Sequence, residues 1–527
     1  MPRCTIDGRE IDAAPGTTVL QAALENGIHI QHFCWHPDLT VDGNCRTCMV
    51  EVEKMPKLQI ACNTVVAEGM VVRTNSAKAR EAQRTALEFL LLNHPIDCPV
   101  CDQAGECYLQ DNYMLYGLYG SQVELEDKVS ATSGFRFQKV VDLGPIVLDS
   151  ERCVHCSRCI RFEKEVTGTN LMEFRWRADH MEIATFEDRP ITHAYAGNLA
   201  EVCPVGALLS RDFRFKMRVW FLKSTESVCP GCSTGCNVYL DHRDGEVYRL
   251  RGRRNAAVNR SWLCDPGRAE YKEISAKPRV SVARLREAAS TAWRWASVDD
   301  ALDSVTVRLK EAGEASAFLA SPQSTNEDLF AFRALADGFG GLLDFRVGDP
   351  QAKVRVREDN ILIRADKNPN TQGCLDLGLG RSGVERVLAE CEAGTIRALL
   401  LQGPELLRLD GARVALSHVP FIAVMASHEE PALDLAHAVL ASSVWAEVDG
   451  TFTNYDRRVQ RIRPAVPSPG DARPRWELAA ALLRRLGSPL VDASARGIFR
   501  SLSDAVPVYG GLDYKALGSS GRELAPS

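Results

Sequence analysis

The chain changes its rhythm of apolar and polar positions about halfway along. Near the start, RCTIDGREID and TCMVEVE alternate apolar and polar residues, the period-two pattern of half-buried strands. Between them, GTTVLQAALENGI (16–28) returns its apolar residues at helical spacing. Val19, Leu20, Ala23 and Leu24 share one face, Thr17 or Thr18 caps it, and Gly27 ends it. A small sheet with one helix is predicted. Further on, KAREAQRTALEFLLLNHP predicts a helix with Ala79, Ala82, Ala86 and Phe89 on one face, halted before Pro95, so that His94 stands at a helix end. From about residue 285, ASAFLAS, NEDLFAFRALADGFGG, IRALLLQG and PFIAVMAS alternate strand and helix patterns, which predicts a layered, nucleotide-binding-like α/β sheet. IRPAVPSPGDARPRW, rich in Pro and Gly, reads as a linker before a last helix, WELAAALLRRLG, and a tail.

Composition narrows the class. A chain of 527 residues with 45% hydrophobic content has room for about three to five packed modules. A net charge of −6 with 25% charged residues lacks the basic excess of a nucleic-acid binder. MPRCTIDGREIDA has no apolar signal core, and no later run approaches the roughly 18 apolar residues of a membrane span. The expectation is therefore a chain on the cytoplasmic side, without direct membrane insertion. Eighteen cysteines in such a context point to metal or redox chemistry rather than disulfides.

Their spacing sorts them into four sets: Cys34, Cys45, Cys48 and Cys62; His94 with Cys98, Cys101 and Cys107; Cys153, Cys156, Cys159 and Cys203; and Cys229, Cys232, Cys236 and Cys264. Each has four ligands. Cys4, Cys374 and Cys391 are left over, and a lone cysteine usually behaves as a small buried hydrophobe. Zinc is the alternative, since tetrahedral sites of four cysteines, or of three and a histidine, are common structural staples. The first set, C-x10-C-x2-C-x13-C, is a stretched form of the plant-type pattern around a [2Fe–2S] cluster. The third opens C-x2-C-x2-C and closes at Cys203-Pro204, a bacterial ferredoxin rhythm that suits [4Fe–4S]. Four sets in series favour iron–sulfur over zinc and suggest a wire for single electrons. The predicted fold class is multidomain α+β and α/β. Residues 1–77 form a β-grasp [2Fe–2S] ferredoxin, 78–140 a helical module with the one-histidine, three-cysteine site, and 141–218 a ferredoxin-like [4Fe–4S] module. A strand-rich unit around the fourth set (219–275), an α/β domain (276–480) and a C-terminal helix and tail (481–527) follow.

Residues 1 to about 275 resemble the family of large iron–sulfur subunits of bacterial respiratory NADH:quinone oxidoreductase (complex I). The resemblance rests on HFCWHPDLTVDGNCRTCMVEVE, LLNHPIDCPVCDQAGECYLQD, RCVHCSRCIRFEKEVTG, GNLAEVCPVGALLSRDFRFKMRVWFLK and CPGCSTGCNVYLD, with Cys62 and Cys264 fitting by position in ACNTVV and WLCDPGR. It implies one [2Fe–2S] and three [4Fe–4S] clusters. Electrons would arrive from a flavin-bearing, NADH-oxidising subunit, cross the first three sets and leave to a two-cluster ferredoxin subunit, within the peripheral arm of a membrane complex. The fourth set resembles an extra bacterial cluster off that route. On this reading the chain is part of an oxidoreductase, with neither an NADH nor a quinone site and no catalytic residue of its own. A subunit of an NAD-linked hydrogenase or formate dehydrogenase is the alternative. Iron-only hydrogenases and formate dehydrogenases usually carry paired C-x2-C-x2-C-x3-C runs at this point, where this chain has a single C-x2-C-x2-C.

VWAEVDGTFTNYDRRVQRIRPAVPSPG (444–470) resembles a segment of the molybdopterin oxidoreductase family. No histidine follows Cys374, Pro266 stands where related molybdenum enzymes carry a lysine, and the chain ends at Ser527. A truncated scaffold without molybdopterin is expected. GLGRSG (378–383) matches G-x-G-x-x-G, but NTQGCLDL before it is a poor strand, and the motif needs a strand–turn–helix context. Arg46, Arg152, Arg158 and Arg161 crowd the cysteines, either offsetting cluster charge or simply solvated. His155, between two ligands, either donates to a cluster sulfur or faces solvent.

Overall fold

A computed structural model describes residues 1–118, 140–177, 181–287, 292–345, 356–409, 411–488, 490 and 492–525. Residues 119–139, inside the module expected over 78–140, lie outside the described residues. The chain divides into two compact units, Met1–Leu222 and Lys223–Ser527.

The first unit begins with a hairpin of β1 (Arg3–Ile6) and β2 (Arg9–Asp12), joined by Asp7-Gly8 with both residues at positive φ, the turn that matches strand twist. Next come α1 (Val19–Glu25), β3 (Met49–Val52), β4 (Gln59–Ile60) and β5 (Met70–Arg73). They complete a mixed sheet in the order β2-β1-β5-β3-β4, with β1 and β5 parallel. Thr18 caps α1 in a capping box with Gln21, and Val19, Leu20, Ala22 and Ala23 are buried against Ile6, Val50 and Val72. Thr18, rather than Thr17, is thus the cap.

The following helix, α2 (Ala77–Leu91), departs from expectation. Its buried stripe is Ala79, Gln83, Leu87 and Leu91, while Ala82 and Ala86 are half-buried and Phe89 is 68% exposed. The reason is polar. Gln83 Nε2 donates to the carbonyls of Met49 (2.7 Å) and Thr74 (3.0 Å), and its Oε1 accepts from the Tyr116 hydroxyl, so the amide is fully used inside.

Then follow α3 (Tyr108–Leu115), β6 (Val140–Asp142), β7 (Ile146–Asp149), α4 (Arg158–Phe162), the hairpin β8 (Met172–Arg175) and β9 (Glu182–Thr185), α5 (Asn198–Val202) and β10 (Leu208–Ser210). The antiparallel sheet β10-β7-β6 backs the third cysteine set.

The second unit opens with the antiparallel sheet β11 (Lys223–Val228), β12 (Asn237–Arg243) and β13 (Glu246–Gly252), followed by α6 (Asp265–Ala269). Its larger body contains β14 (Ala283–Leu285), β15 (Arg294–Ala296), α7 (Val298–Ala312), β16 (Ser316–Leu319), α8 (Asn326–Phe339) and β17 (Leu342–Asp344). It continues through α9 (Thr371–Asp376), α10 (Val384–Glu392), β18 (Ala398–Leu401), α11 (Ala412–Leu416), β19 (Phe421–Ala426) and β20 (Ala438–Ala441). The seven strands run β15-β14-β20-β19-β18-β16-β17, parallel from β20 to β17. Alternate residues of β18 and β19 enter two separate cores, Leu400 and Ala423 on one face, Leu399 and Ile422 on the other. A parallel sheet buried on both faces reads in sequence as an unbroken apolar run, such as FIAVMA.

A last sheet joins β21 (Gly450–Thr453), β22 (Arg458–Ile462) and β23 (Arg522–Glu523), with α12 (Arg475–Arg485), α13 (Ala495–Ala505) and α14 (Tyr514–Leu517) beside it. The expected last helix is therefore followed by two more. Phe499, Leu502, Tyr509 and Tyr514 of the supposed tail are buried in the same core as Phe318 and Leu400. The Pro-rich linker is also tied down, with Ala465 N bonded to Ala446 O and Asp471 N to Ser281 O. GLGRSG follows a helix, α9, rather than a strand, and Cys374 is buried within that helix.

Candidate metal centres

Each cysteine set is assembled by loops whose backbone amides point at sulfur. In the first, Cys34 follows α1, Cys45 and Cys48 lie on the loop into β3, and Cys62 follows β4. Thiol contacts run Cys34–Cys45, Cys34–Cys62 and Cys48–Cys62. Hydrogen bonds from Cys45 and Cys62 hold the Cys34 thiol well below its ordinary range. The Cys34 contact pushes Cys45 up, and contacts with Cys34 and Cys48 push Cys62 up, burial adding to both. Amides of Gly43 and Cys45 also face the Cys34 sulfur.

In the second set, Cys98 opens a short turn, Cys101 closes it, and Cys107 caps α3. The Cys98 sulfur lies 3.8 Å from the Tyr113 hydroxyl. Burial pushes Cys107 up to about 12 even though the amides of Gln110 and Leu109 favour its thiolate. His94 is half-buried, two residues past Leu92, which closes α2. A Cβ on Gly206 would stand 2.3 Å from the Cys101 sulfur, so any larger residue there would have to displace that sulfur.

The four cysteines of the third set, Cys153, Cys156, Cys159 and Cys203, line one cavity together with Phe174 and Ile183. Burial raises Cys156 to about 11 and also lifts Cys159 and Cys203. Amides of Val205, Ala207 and Leu208 face Cys203. His155 contributes by its backbone, its N–H donating to the Cys153 sulfur at 3.4 Å. Its ring takes neither expected role. It is half-buried, edge-on to Phe174, bonded to the Met181 carbonyl, and burial lowers its pKa.

In the fourth set Cys229 immediately follows β11, Cys232 and Cys236 occupy the turn into β12, and Cys264 caps α6, accepting from Gly267 N at 3.3 Å. All four are buried. Burial raises Cys229 and Cys236 and takes Cys264 to about 11. A Cβ on Gly267 would sit 3.1 Å from both the Cys229 and Cys264 sulfurs.

Three of the four arginines singled out in the sequence are internal braces. Arg161 Nη2 donates to the carbonyls of Cys34 and Cys156, and its Nη1 to that of Thr40. Arg158 donates to Trp35 O (2.5 Å) and Val202 O (3.3 Å). With Asn44 donating to His155 O at 3.1 Å, they tie the first cysteine loop to the third. Arg152 pairs with Asp97 (Nε–Oδ1 3.0 Å) and Asp149 (3.4 Å). Arg46 is exposed. Sequence reasoning did not find the amide donors or Gly206, because neither leaves a spacing signal.

These sets suit thiolate ligation of metal. Most of the thiols are buried and crowded, and burial raises Cys107, Cys156, Cys159, Cys203, Cys229, Cys236 and Cys264, whereas Cys34 and Cys48 are held low by neighbouring thiols. A bound cation of high charge is what deprotonates such raised groups outright.

Five family models match the chain. A 2Fe-2S iron-sulfur cluster binding domain covers residues 3–77, an NADH-ubiquinone oxidoreductase-G iron-sulfur binding region 83–122, and the ferredoxin-like domain of NADH-quinone oxidoreductase subunit 3 residues 144–209. A molybdopterin oxidoreductase Fe4S4 domain covers 222–276 and a molybdopterin oxidoreductase model 365–485. The chain thus carries a 2Fe–2S domain and 4Fe–4S binding domains. It is 38% identical over 314 residues to the G subunit of the NADH-quinone oxidoreductase of Rickettsia bellii (strain RML369-C), covering 59% of this chain and 44% of that protein. It is also 38% identical to the corresponding G 2 subunit of Rhizobium meliloti (strain 1021), covering 64% and 39%. The chain spans less than half the length of these relatives. Among solved structures, a chain of an NAD+-reducing [NiFe]-hydrogenase in the H2-reduced state is 28% identical, with a TM-score of 0.37, covering 41% of this chain and 91% of that one. No helix among the described residues is long and apolar enough to cross a membrane.

Proposed function

We propose that this chain is the electron-transfer iron–sulfur subunit of an NADH:quinone oxidoreductase, carrying single electrons from a flavin-bearing, NADH-oxidising subunit toward a two-cluster ferredoxin subunit and the quinone-reducing module. The observation that carries this reading is the convergence of four cysteine sets, in the order of the matched iron–sulfur domains. Cys34, Cys45, Cys48 and Cys62, within a β-grasp domain, would hold a [2Fe–2S] cluster. His94 with Cys98, Cys101 and Cys107, the set Cys153, Cys156, Cys159 and Cys203, and the set Cys229, Cys232, Cys236 and Cys264 would each hold a [4Fe–4S] cluster. Bound there, the clusters supply one-electron redox chemistry.

The chain's own residues do the rest. The amides facing Cys34, Cys107 and Cys203 stabilise negative charge on sulfur without bringing water in. Arg158 and Arg161 keep the first and third loops in fixed register and place positive charge between them. The second unit serves as a scaffold without molybdopterin, a reading supported by the burial of Cys374 and by Pro266 in the first turn of α6. The chain works in the peripheral arm, on the cytoplasmic side of the membrane.

Anaerobically purified protein is expected to hold about 14 iron atoms, the sum for one [2Fe–2S] and three [4Fe–4S] clusters, with matching acid-labile sulfide. Stoichiometric zinc in well-folded protein, or about two irons per chain, would overturn the assignment.

A further inference from the structure

Away from the cysteine sets, the second unit holds a partly open cavity of about 510 Å3 between strands β14 and β15, α7, and the residues leading into β18 and β19. That size lies within the roughly 300–1,000 Å3 of small-molecule pockets. Four arginines line it, Arg286, Arg294, Arg308 and Arg397, with Ser304, against two carboxylates, Glu287 and Glu311. The excess is positive.

The four guanidiniums are not equally committed. Arg286 is held in place, with Nε donating to Ala436 O at 2.8 Å, Nη2 donating to Asp434 O, and the group stacked 4.2 Å from the Trp293 ring centre. Arg308 meets Glu311 at 3.2 Å, in a pair whose side chains are both more than half exposed and so weakly bound. Arg294 and Arg397 are exposed, and no side-chain hydrogen bond or ion pair reaches either among the described residues. The local potential is felt nearby. After burial, the charges of Arg286 and Arg308 are the next causes that lower the pKa of His437.

Position also distinguishes the cavity. Arg397 immediately precedes β18 and Pro420 immediately precedes β19, so it opens at the N-terminal ends of the parallel strands. Doubly wound sheets take nucleotides at the opposite, C-terminal ends. Its ligand is thus separate from any nucleotide-like group the sheet would accept.

We propose that this cavity binds a small phosphate-bearing anion with at least two negative charges, gripped by Arg294 and Arg397 and completed by Arg286, Arg308 and Ser304. Guanidinium forks match phosphate oxygens in pairs, and two unpaired guanidiniums call for a dianion. Concavity favours a small molecule over a macromolecular surface.

The test is isothermal titration of the cluster-loaded full chain with inorganic pyrophosphate, in parallel with citrate. One saturable pyrophosphate site is expected, weakening as salt is raised. It should weaken at least tenfold in the Arg294→Ala/Arg397→Ala double variant, whose substituted side chains are exposed, with unchanged iron content and circular dichroism serving as the folding check. Arg308→Gln provides a second variant and should also weaken binding. Absence of saturable pyrophosphate binding, equal or tighter binding of citrate, or full affinity in the double variant would each overturn the proposal.

Discussion

His94 is the residue where ligand chemistry has the plainest consequence. A neutral imidazole brings less charge and less electron donation to iron than a thiolate, and in Rieske centres histidine in place of cysteine raises the potential. If His94 is the fourth ligand beside Cys98, Cys101 and Cys107, as proposed, His94→Cys should retain a [4Fe–4S] cluster at a lower midpoint potential, and His94→Ala should lose or destabilise it. EPR-monitored redox titration decides, and an Ala variant with unchanged signal and potential removes His94 from the set. Glu327 offers a test without metal. It is fully buried at the start of α8, where Oε2 accepts from Thr451 N (2.8 Å) and Oε1 from the Tyr514 hydroxyl (2.9 Å). Burial pushes its carboxyl from 4.5 up to about 8, against hydrogen bonds that favour the charged form. The folded chain therefore keeps a proton that the unfolded chain releases above pH 4.5. Its contribution to stability is full below that pH and is lost as pH rises through about 8. Glu327→Gln should remove this dependence, so its thermal midpoint relative to the parent should climb between pH 5 and pH 9. A constant difference across that range would count against the buried, protonated carboxyl.

At the scale of elements, α2 shows how one buried polar side chain turns a helix. The amphipathic pattern offered Ala79, Ala82, Ala86 and Phe89, but Gln83 satisfies the carbonyls of Met49 and Thr74, and Leu87 and Leu91 follow it inward. Leu87→Ala should therefore cost about 2–5 kcal/mol in the first unit through a core cavity, while Phe89→Ala should stay within about 0.5 kcal/mol. Chemical denaturation followed by far-ultraviolet circular dichroism separates the two, and the reverse order would restore the pattern-based face. Helices α13 and α14 illustrate the same dependence on partners. Phe499 and Leu502 of α13, Tyr514 of α14 and Tyr509 in the turn between them complete a core built mostly by α7, α8 and the central strands.

The whole molecule divides its cysteine sets unevenly, three in the unit ending at Leu222 and the fourth in the unit that begins at Lys223. This distribution fits a fourth centre that supports the second unit rather than the electron route. Cys229→Ala with Cys232→Ala should lower the unfolding midpoint of the second unit and reduce assembly, while the EPR signals of the other three centres persist. Loss of NADH:quinone activity in a fully assembled complex that lacks only this centre would place it on the path instead.

The sequence by itself set out the four candidate sets, because short loops between cysteines leave fixed spacings such as C-x2-C-x2-C. It likewise determined α1 with its Thr18 region cap and the alternating body of the second unit, whose signals are local periods. What joins distant segments carried no such signal. The turn of α2 onto Gln83, the bonds of Arg158 and Arg161 to carbonyls more than a hundred residues earlier, and the ring of His155 on Phe174 and Met181 depend on partners brought near only by folding. The arginine-lined cavity is the extreme case. Arg286 follows β14, Arg294 opens β15, Arg308 lies in α7 and Arg397 precedes β18, and in sequence each is an ordinary surface charge. Only the packing of a hairpin and a helix across the strand ends places like charges side by side, since repulsion between guanidiniums is opposed there by the solvent and the fold rather than by sequence neighbours.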